Sequence, residues 1–284
     1  MNVSYIDFWP GFDVNCNWFN LLLEGTFKDR KINFNSDPDN ADVIFFSCFG
    51  DKNKEYSDSK AIKILYIGEN VPADFSVADY CLSFDFDDHG GKNFRLPHWY
   101  LYINWWGKPN FPHARISMED LLKNYDPLTV AERRKFCSIV IGNPVHNRIE
   151  VAQKLNSYQQ VDGFGRVFGN HYSGCKIELL KNYRWNICFE NSITDGYVTE
   201  KLLEAKVAGC IPIYYGPFYA NRDFNDSCYI NYYNYNSCES LLEDVMKIDR
   251  DYNKLISLIQ QPLFNTIPSL EGLENFIKNI IIYL

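Results

Sequence analysis

The chain has 284 residues, 46% of them hydrophobic and 23% charged, which is enough for two modest domains or one large one around a real core. Its formal net charge of −8 leaves no diffuse basic surface to draw in nucleic acid or acidic lipid, so an anionic ligand must be held by a few local cations. No stretch approaches the roughly 18 apolar residues of a membrane span, and the opening MNVSYIDFWPGF has neither the charged start nor the apolar run of a secretory leader. Nine cysteines suggest a disulfide framework. However, the number is odd, Cys48, Cys81, Cys137, Cys188 and Cys210 lie inside apolar runs, and neither CxxC nor a Cys/His zinc spacing occurs. Reduced, buried thiols in a cytoplasmic protein are expected.

Residues 3–8 read as a first strand and 16–24 as a helix. Short apolar runs bounded by turn residues predict buried strands over 41–48, 62–67 and 78–84. The polar stretch DFDDHGGKN follows, then the aromatic run WYLYINWW (99–106). That run reads as a half-buried core strand, with a sugar-stacking platform as the alternative. SMEDLLKN (117–124) carries a helix start signal, and a domain boundary falls near 130. Beyond it come a strand over 136–141, the turn GNP, a helix over 146–155, a strand at 160–161 and a helix over 176–182. The alternation predicts parallel sheets covered by helices. An apolar helix over 270–284 is too short to span a bilayer and is expected to pack back on the first domain.

The stretch YRWNICFENSITDGYVTEKLLEAKVAGCIPIYYG (183–216) carries the most chemistry. Apolar strands over 185–189 and 211–215 flank a loop holding Glu190, Asn191, Ser192, Asp195, Gly196, Tyr197, Thr199, Glu200 and Lys201. This is the carboxyl-end connection of a βαβ unit, where open α/β sheets bind ligands. A helix from Thr199 aims its first N–H groups and partial positive charge into that crevice, and Lys201 adds a full charge. The pattern suits a diphosphate; a surface turn with an ordinary Thr cap is the plainer alternative.

CFENS, GYVTEKL and IPIYYG at these spacings resemble the signature of the α-1,3-fucosyltransferases, glycosyltransferase family 10, which move L-fucose from GDP-fucose onto N-acetylglucosamine or glucose units of glycans. ADVIFFSCFG (41–50), YIGEN (66–70), RLPHWY (95–100) and FCSIVIGNP with Arg148 beyond it extend the resemblance over about 40–230. It implies an α/β GT-B fold, two Rossmann-like domains facing each other across a cleft. Residues 1–130 would bind the acceptor and 131–265 GDP-fucose, with 266–284 the helix that packs back. The anchor and stem of the animal members are not seen, which suggests a bacterial- or viral-type catalytic core or one trimmed to it.

Inverting transfer needs a base for the acceptor hydroxyl, support for positive charge at the fucose C1, and cations for the leaving GDP. Glu69 ends the strand over 62–67 with Gly68 allowing a tight turn, and Ile67 and Val71 would desolvate it. A solvated loop glutamate is the bland alternative, and the resemblance makes Glu69 the general base. Arg148 and Lys201 would hold the diphosphate, Arg148 with a fork that takes two phosphate oxygens, and Arg166 is a second candidate. By resemblance Glu200 lies by the fucose, Asn191 and Tyr197 touch the donor, and Glu190 orients the loop.

Asp85 and Asp87 mimic the metal-holding DxD of the GT-A glycosyltransferases, and a metal-dependent GT-A enzyme is one rival reading. A non-catalytic glycan-binding module built on the aromatic run is another. No dedicated metal site is expected, and stimulation by Mn²⁺ or Mg²⁺ is left open. The expected acceptor is an N-acetyllactosamine-type glycan, as in Lewis antigens or lipopolysaccharide, fucosylated at O3 of N-acetylglucosamine with O4 as the alternative. The expected location is cytoplasmic, with peripheral contact at the inner membrane left open. The five histidines form no metal or triad pattern, and His98 in RLPHWY is a minor candidate.

Overall fold

The computed structural model describes residues 1–108, 111, 115–145 and 147–281. In chain order they form β1 (Val3–Ile6), α1 (Trp18–Thr26), β2 (Val43–Ser47), β3 (Ile62–Tyr66), β4 (Tyr80–Ser83), β5 (Asn93–Arg95), β6 (Ile103–Asn104), β7 (Ile116–Ser117), α2 (Met118–Leu121) and α3 (Pro127–Ala131). There follow β8 (Lys135–Val140), α4 (Arg148–Asn156), β9 (Val161–Phe164), α5 (Lys176–Leu180), β10 (Tyr183–Ile187), α6 (Glu200–Val207), β11 (Ile211–Tyr214), β12 (Ile230–Asn231), α7 (Cys238–Asp249), α8 (Tyr252–Gln260) and α9 (Glu271–Ile281). No helix among them is long and apolar enough to cross a membrane.

The chain divides into two compact units. The first comprises Met1–Met118, the tripeptide Asp195–Tyr197 and the segment from Pro268 onward. Its sheet runs β1-β2-β3-β4-β5 in sequence order, every pair parallel. Strand alternation sorts the side chains: Val43 and Phe45 join Val3, Ile64, Tyr66 and Leu82 on one face, while Ile44 and Phe46 join Ile6, Leu65 and Cys81 on the other. Both faces are buried, which is why VIFFS reads as an unbroken apolar run. Helix α1 starts where the Asn17 side chain accepts from Asn20 N–H. Helix α9 buries Leu273, Ile277 and Ile281, one per turn, in the same cluster as α1.

The tripeptide enters the other cluster. Tyr197 is 5% exposed, its ring 5.3 Å edge-on from Phe84. Gly196 sits at φ 84°, where a side chain would strike the Phe84 carbonyl oxygen, and its own carbonyl accepts from Arg95 Nη2 at 3.3 Å.

The second unit comprises Glu119–Thr194 and Val198–Ile267. Its parallel sheet has the order β12-β11-β10-β8-β9. From β8 the chain steps to β9 on one side, then returns across β8 to β10 and continues outward. The direction therefore reverses between β8 and β10, which makes the carboxyl ends of those strands the topological switch point. One face packs Cys137, Trp185 and Ile211 against Val151 and Leu155 of α4, Leu241 and Val245 of α7, and Leu255 and Ile259 of α8.

Several expectations shift. WYLYINWW is not a strand: His98–Tyr102 is a 3₁₀ turn, and only Ile103–Asn104 pair, as β6. Pro97, at φ −63°, leads the chain into that turn, and Trp105 Nε1 donates back to Tyr100 O at 2.9 Å, closing the run on itself. Its buried members, Trp99, Leu101 and Ile103, are core. Helices α7 and α8 fall where the sequence offered no recognised pattern. Helix α7 opens with a capping box made of two serines, Ser237 and Ser240, a fainter signal than the usual Glu or Gln at N3. The break between units falls at Met118–Glu119 rather than near 130, because α3 packs on α8 and β10 of the second unit. The helix expected over 146–155 begins at Arg148, and His146 lies outside the described residues.

Candidate active site

The carboxyl end of β10 carries a glutamate that water does not reach. Glu190 is 0% exposed, and its carboxylate is fully engaged. Oε1 accepts from Thr199 N–H at 2.8 Å and from Tyr214 OH at 3.3 Å; Oε2 accepts from Thr199 Oγ1 at 2.7 Å and Lys201 Nζ at 3.0 Å. Burial, with Glu190 beside it, pushes the Tyr214 phenol well above its ordinary value, so it remains a donor. Lys201 Nζ also donates to Thr199 Oγ1 at 2.7 Å and lies 3.7 Å from the Glu200 carboxylate.

Thr199 is the N-cap of α6, but its hydroxyl makes no cap bond, because Glu190 takes it. An anion does sit at the mouth of α6, as the helix field asks. It is a carboxylate of the chain itself, which takes the Thr199 N–H at that helix end. Behind it, Lys176 of α5 pairs with Glu204 of α6 at 2.7 Å. Burial opposes the Lys176 charge, yet Glu204 and Glu200 hold it above its ordinary value.

One strand over, at the switch point, cations meet neutral acceptors. Arg148, the first residue of α4, is 1% exposed. Its Nη1 donates to Asn143 O at 3.0 Å; its Nη2 donates to Phe189 O and, at 2.7 Å, to Asn191 Oδ1. Its Nε has no hydrogen-bond partner among the described residues. Burial bears against the guanidinium charge, and Glu190 and Glu200 favour it at a distance, but among the described residues no carboxylate bonds to it. Arg166 is exposed and similarly placed, with Nε on Gly142 O at 3.2 Å and Nη2 on Asn143 Oδ1 at 2.8 Å. Arg148, Arg166 and Asn191 thus share one corner, built on the turn after β8, the turn after β9 and the loop after β10. Among the described residues both guanidinium groups bond only to neutral oxygens, an arrangement suited to an anion.

The remaining expected residues sit elsewhere. Tyr197 belongs to the first unit, its ring buried in that unit's core. Glu200, the first residue of α6, is partly buried beside Lys201. Glu69 lies in the turn after β3 of the first unit, exposed, its carbonyl accepting from Val71 N–H at 2.8 Å. Ile67 is buried, but Val71 is 37% exposed, so the apolar flanks leave the Glu69 carboxylate in water instead of desolvating it.

Asp85 and Asp87 close their own turn. Asp85 Oδ2 pairs with His89 Nε2 at 2.9 Å, Asp85 Oδ1 accepts from Asp87 N–H, and Asp87 Oδ1 accepts from His89 N–H. Among the described residues no group of three or more His, Cys, Asp or Glu is arranged to hold a metal.

Sequence reasoning did not single out Asn143 and Gly142, which accept from the arginines, or Tyr214, which donates to Glu190, and it gave Thr199 only as the helix start. The GNP turn directly after an apolar strand was the available signal for the first pair; nothing local announced Tyr214.

Residues 3–102 match the family profile "Alpha-(1,3)-fucosyltransferase FucT N-terminal domain", and residues 130–260 match "Glycosyltransferase family 10 (fucosyltransferase) C-term". The chain is 27% identical over 266 residues to Alpha-(1,3)-fucosyltransferase FucT of Helicobacter pylori, covering 84% of this chain and 54% of that protein. It is 32% identical over 130 residues to human 4-galactosyl-N-acetylglucosaminide 3-alpha-L-fucosyltransferase 9, covering 44% and 36% respectively. The chain spans about half the length of the first relative and less of the second. A crystal structure of an α1,3-fucosyltransferase superposes with a TM-score of 0.78 at 25% identity, over 99% of this chain and 90% of that one. One with GDP-fucose does so with a TM-score of 0.75 at 24% identity, over the same shares. The fold is GT-B, built from two parallel α/β units.

Proposed function

Since this chain belongs to the α-1,3-fucosyltransferases of glycosyltransferase family 10, we propose that it transfers L-fucose from GDP-fucose to O3 of N-acetylglucosamine in an N-acetyllactosamine-type glycan, inverting at C1. One observation carries the reading: a buried guanidinium at the switch point, Arg148, whose bonds among the described residues all go to neutral oxygens. A buried charge is costly unless something answers it, and a nucleoside diphosphate answers it here.

In this reading Arg148 and Arg166 receive the diphosphate, and Asn191, fixed by Arg148, faces the donor. Lys201 adds its charge through the Glu190 network, which holds the start of α6, and Glu200 favours positive charge at the fucose ring as the bond to GDP breaks. Tyr197 acts from a buried position, packing the loop centre and not touching the donor. Glu69 takes the proton from the acceptor hydroxyl. Its exposure suits a base that is enclosed only when the acceptor is bound, since general bases often find their geometry in the complex. All nine cysteines are free, which fits a reducing, cytoplasmic setting. The donor needs no metal in this scheme, the diphosphate charge being met by arginine.

The test is incubation with GDP-fucose and a glycan panel, with product mass and linkage read out. A fucose added at O3 of N-acetylglucosamine is expected. Tight GDP binding without transfer to any glycan would remove the enzymatic reading and favour a binding module.

A further inference from the structure

We propose that Asn143 is the positioning residue of the donor site, holding both arginines apart and ready before the nucleotide arrives. The inference rests on the diphosphate assignment above and deepens it. Asn143 lies in the turn Gly142–Asn143–Pro144 that ends β8 at the switch point. Proline at 144 restricts the residue before it to extended backbone, so the Asn143 carbonyl and side chain are set in fixed directions.

The consequence is a double reception. The Asn143 carbonyl accepts from Arg148 Nη1 at 3.0 Å, while its side-chain Oδ1 accepts from Arg166 Nη2 at 2.8 Å. The Gly142 carbonyl takes Arg166 Nε at 3.2 Å. One exposed turn thereby fixes two guanidinium groups from separate elements, one starting α4 and one following β9.

The chemistry of the acceptor matters as much as its place. An asparagine holds a guanidinium through a neutral oxygen, so the positive charge stays available to an anion; an aspartate would hold it equally well and cancel it. Two like charges kept side by side repel, and that repulsion is met once, during folding, rather than at each binding event. Preorganisation of this kind lowers the ordering cost of binding. Asn143 touches neither arginine by its own charge and acts only through them.

The experiment is a double-mutant cycle read by GDP calorimetry and by donor and acceptor KM. Asn143→Ala is expected to weaken GDP binding and raise the donor KM by about tenfold, with the acceptor KM unchanged. In an Arg166→Ala background the same substitution should lose most of that effect, because the group it positions is gone. Asn143→Asp should weaken GDP binding as well and flatten its salt dependence, although the hydrogen bond survives. If Asn143→Ala costs the same factor with and without Arg166, the positioning role is wrong while the donor site stands. If Arg166→Ala leaves GDP affinity intact, the diphosphate assignment of Arg166 itself falls, and this inference with it. Asn143 is exposed, so circular dichroism of the variants should match the parent.

Discussion

Two glutamates end neighbouring kinds of strand and live opposite lives. Glu69 follows β3 of the first unit and is exposed; Glu190 follows β10 of the second and is 0% exposed, with four donors on its two oxygens. A carboxylate with donors on both oxygens is already engaged in holding its loop. A carboxylate in an open turn can take a proton. The contrast separates a group that shapes a site from a group that can react in one, although both read as conspicuous acids in the sequence.

Glu69→Gln tests the reactive side and should have the largest effect. Transfer should fall by roughly 10²–10⁴, the usual worth of a positioned base, with GDP affinity unchanged by calorimetry. Retention of most turnover would assign the base elsewhere. Glu190→Gln tests the shaping side. It leaves the Lys201 ammonium without its buried partner, and breaking such a pair costs about 3–5 kcal/mol, read as a lower Tm and urea midpoint. Lys201→Met should cost a similar amount by stranding Glu190, and should also weaken GDP binding. A Lys201→Met protein as stable as the parent would mean the pair is not what holds α6.

A smaller effect is expected at Asp162 on β9. Partial burial raises its carboxyl, but hydrogen bonds from Tyr183, Lys135 and Gln160 outweigh that and hold it below the ordinary value. A carboxyl depressed in the folded state contributes stability above its unfolded value, and that contribution is lost as pH falls through the folded one. Urea midpoints taken between about pH 2 and 6 should therefore drop less steeply for Asp162→Asn than for the parent. Parallel curves would contradict the assignment. The smallest effect is expected at Asp87→Ala, which removes one turn acceptor and should change stability by about 0.5 kcal/mol. Transfer by this variant, and by the parent in EDTA, should be nearly intact. Loss of activity in both would favour a metal held by Asp85 and Asp87.

The legible part of the molecule was the part written locally. Short apolar runs placed β2, β3, β4, β8, β10 and β11 to within a residue or two, because a strand buried on both faces must be apolar throughout. The final helix was readable from its length and from Leu273, Ile277 and Ile281 recurring with helical spacing. WYLYINWW misled because aromatic density says that a segment is buried and not how its backbone turns, and Pro97 settled that. Helices α7 and α8 were missed because their caps are serines and an aspartate in a Tyr- and Asn-rich surround that reads as loop.

By itself, then, the sequence determined the parallel α/β architecture, the family, and the strand ends from which chemistry must come, since these depend on periodicity and on residues adjacent in the chain. Only the tertiary structure decided what each charged group is bonded to. It put Glu190 at the mouth of α6 where a phosphate had been expected, buried Tyr197 in the first unit's core, and gathered Arg148, Arg166 and Asn191 around Asn143. The reason is physical. The worth of a charge depends on its desolvation and on partners far away along the chain, 43 residues for Arg148 and Asn191, and no local pattern encodes either.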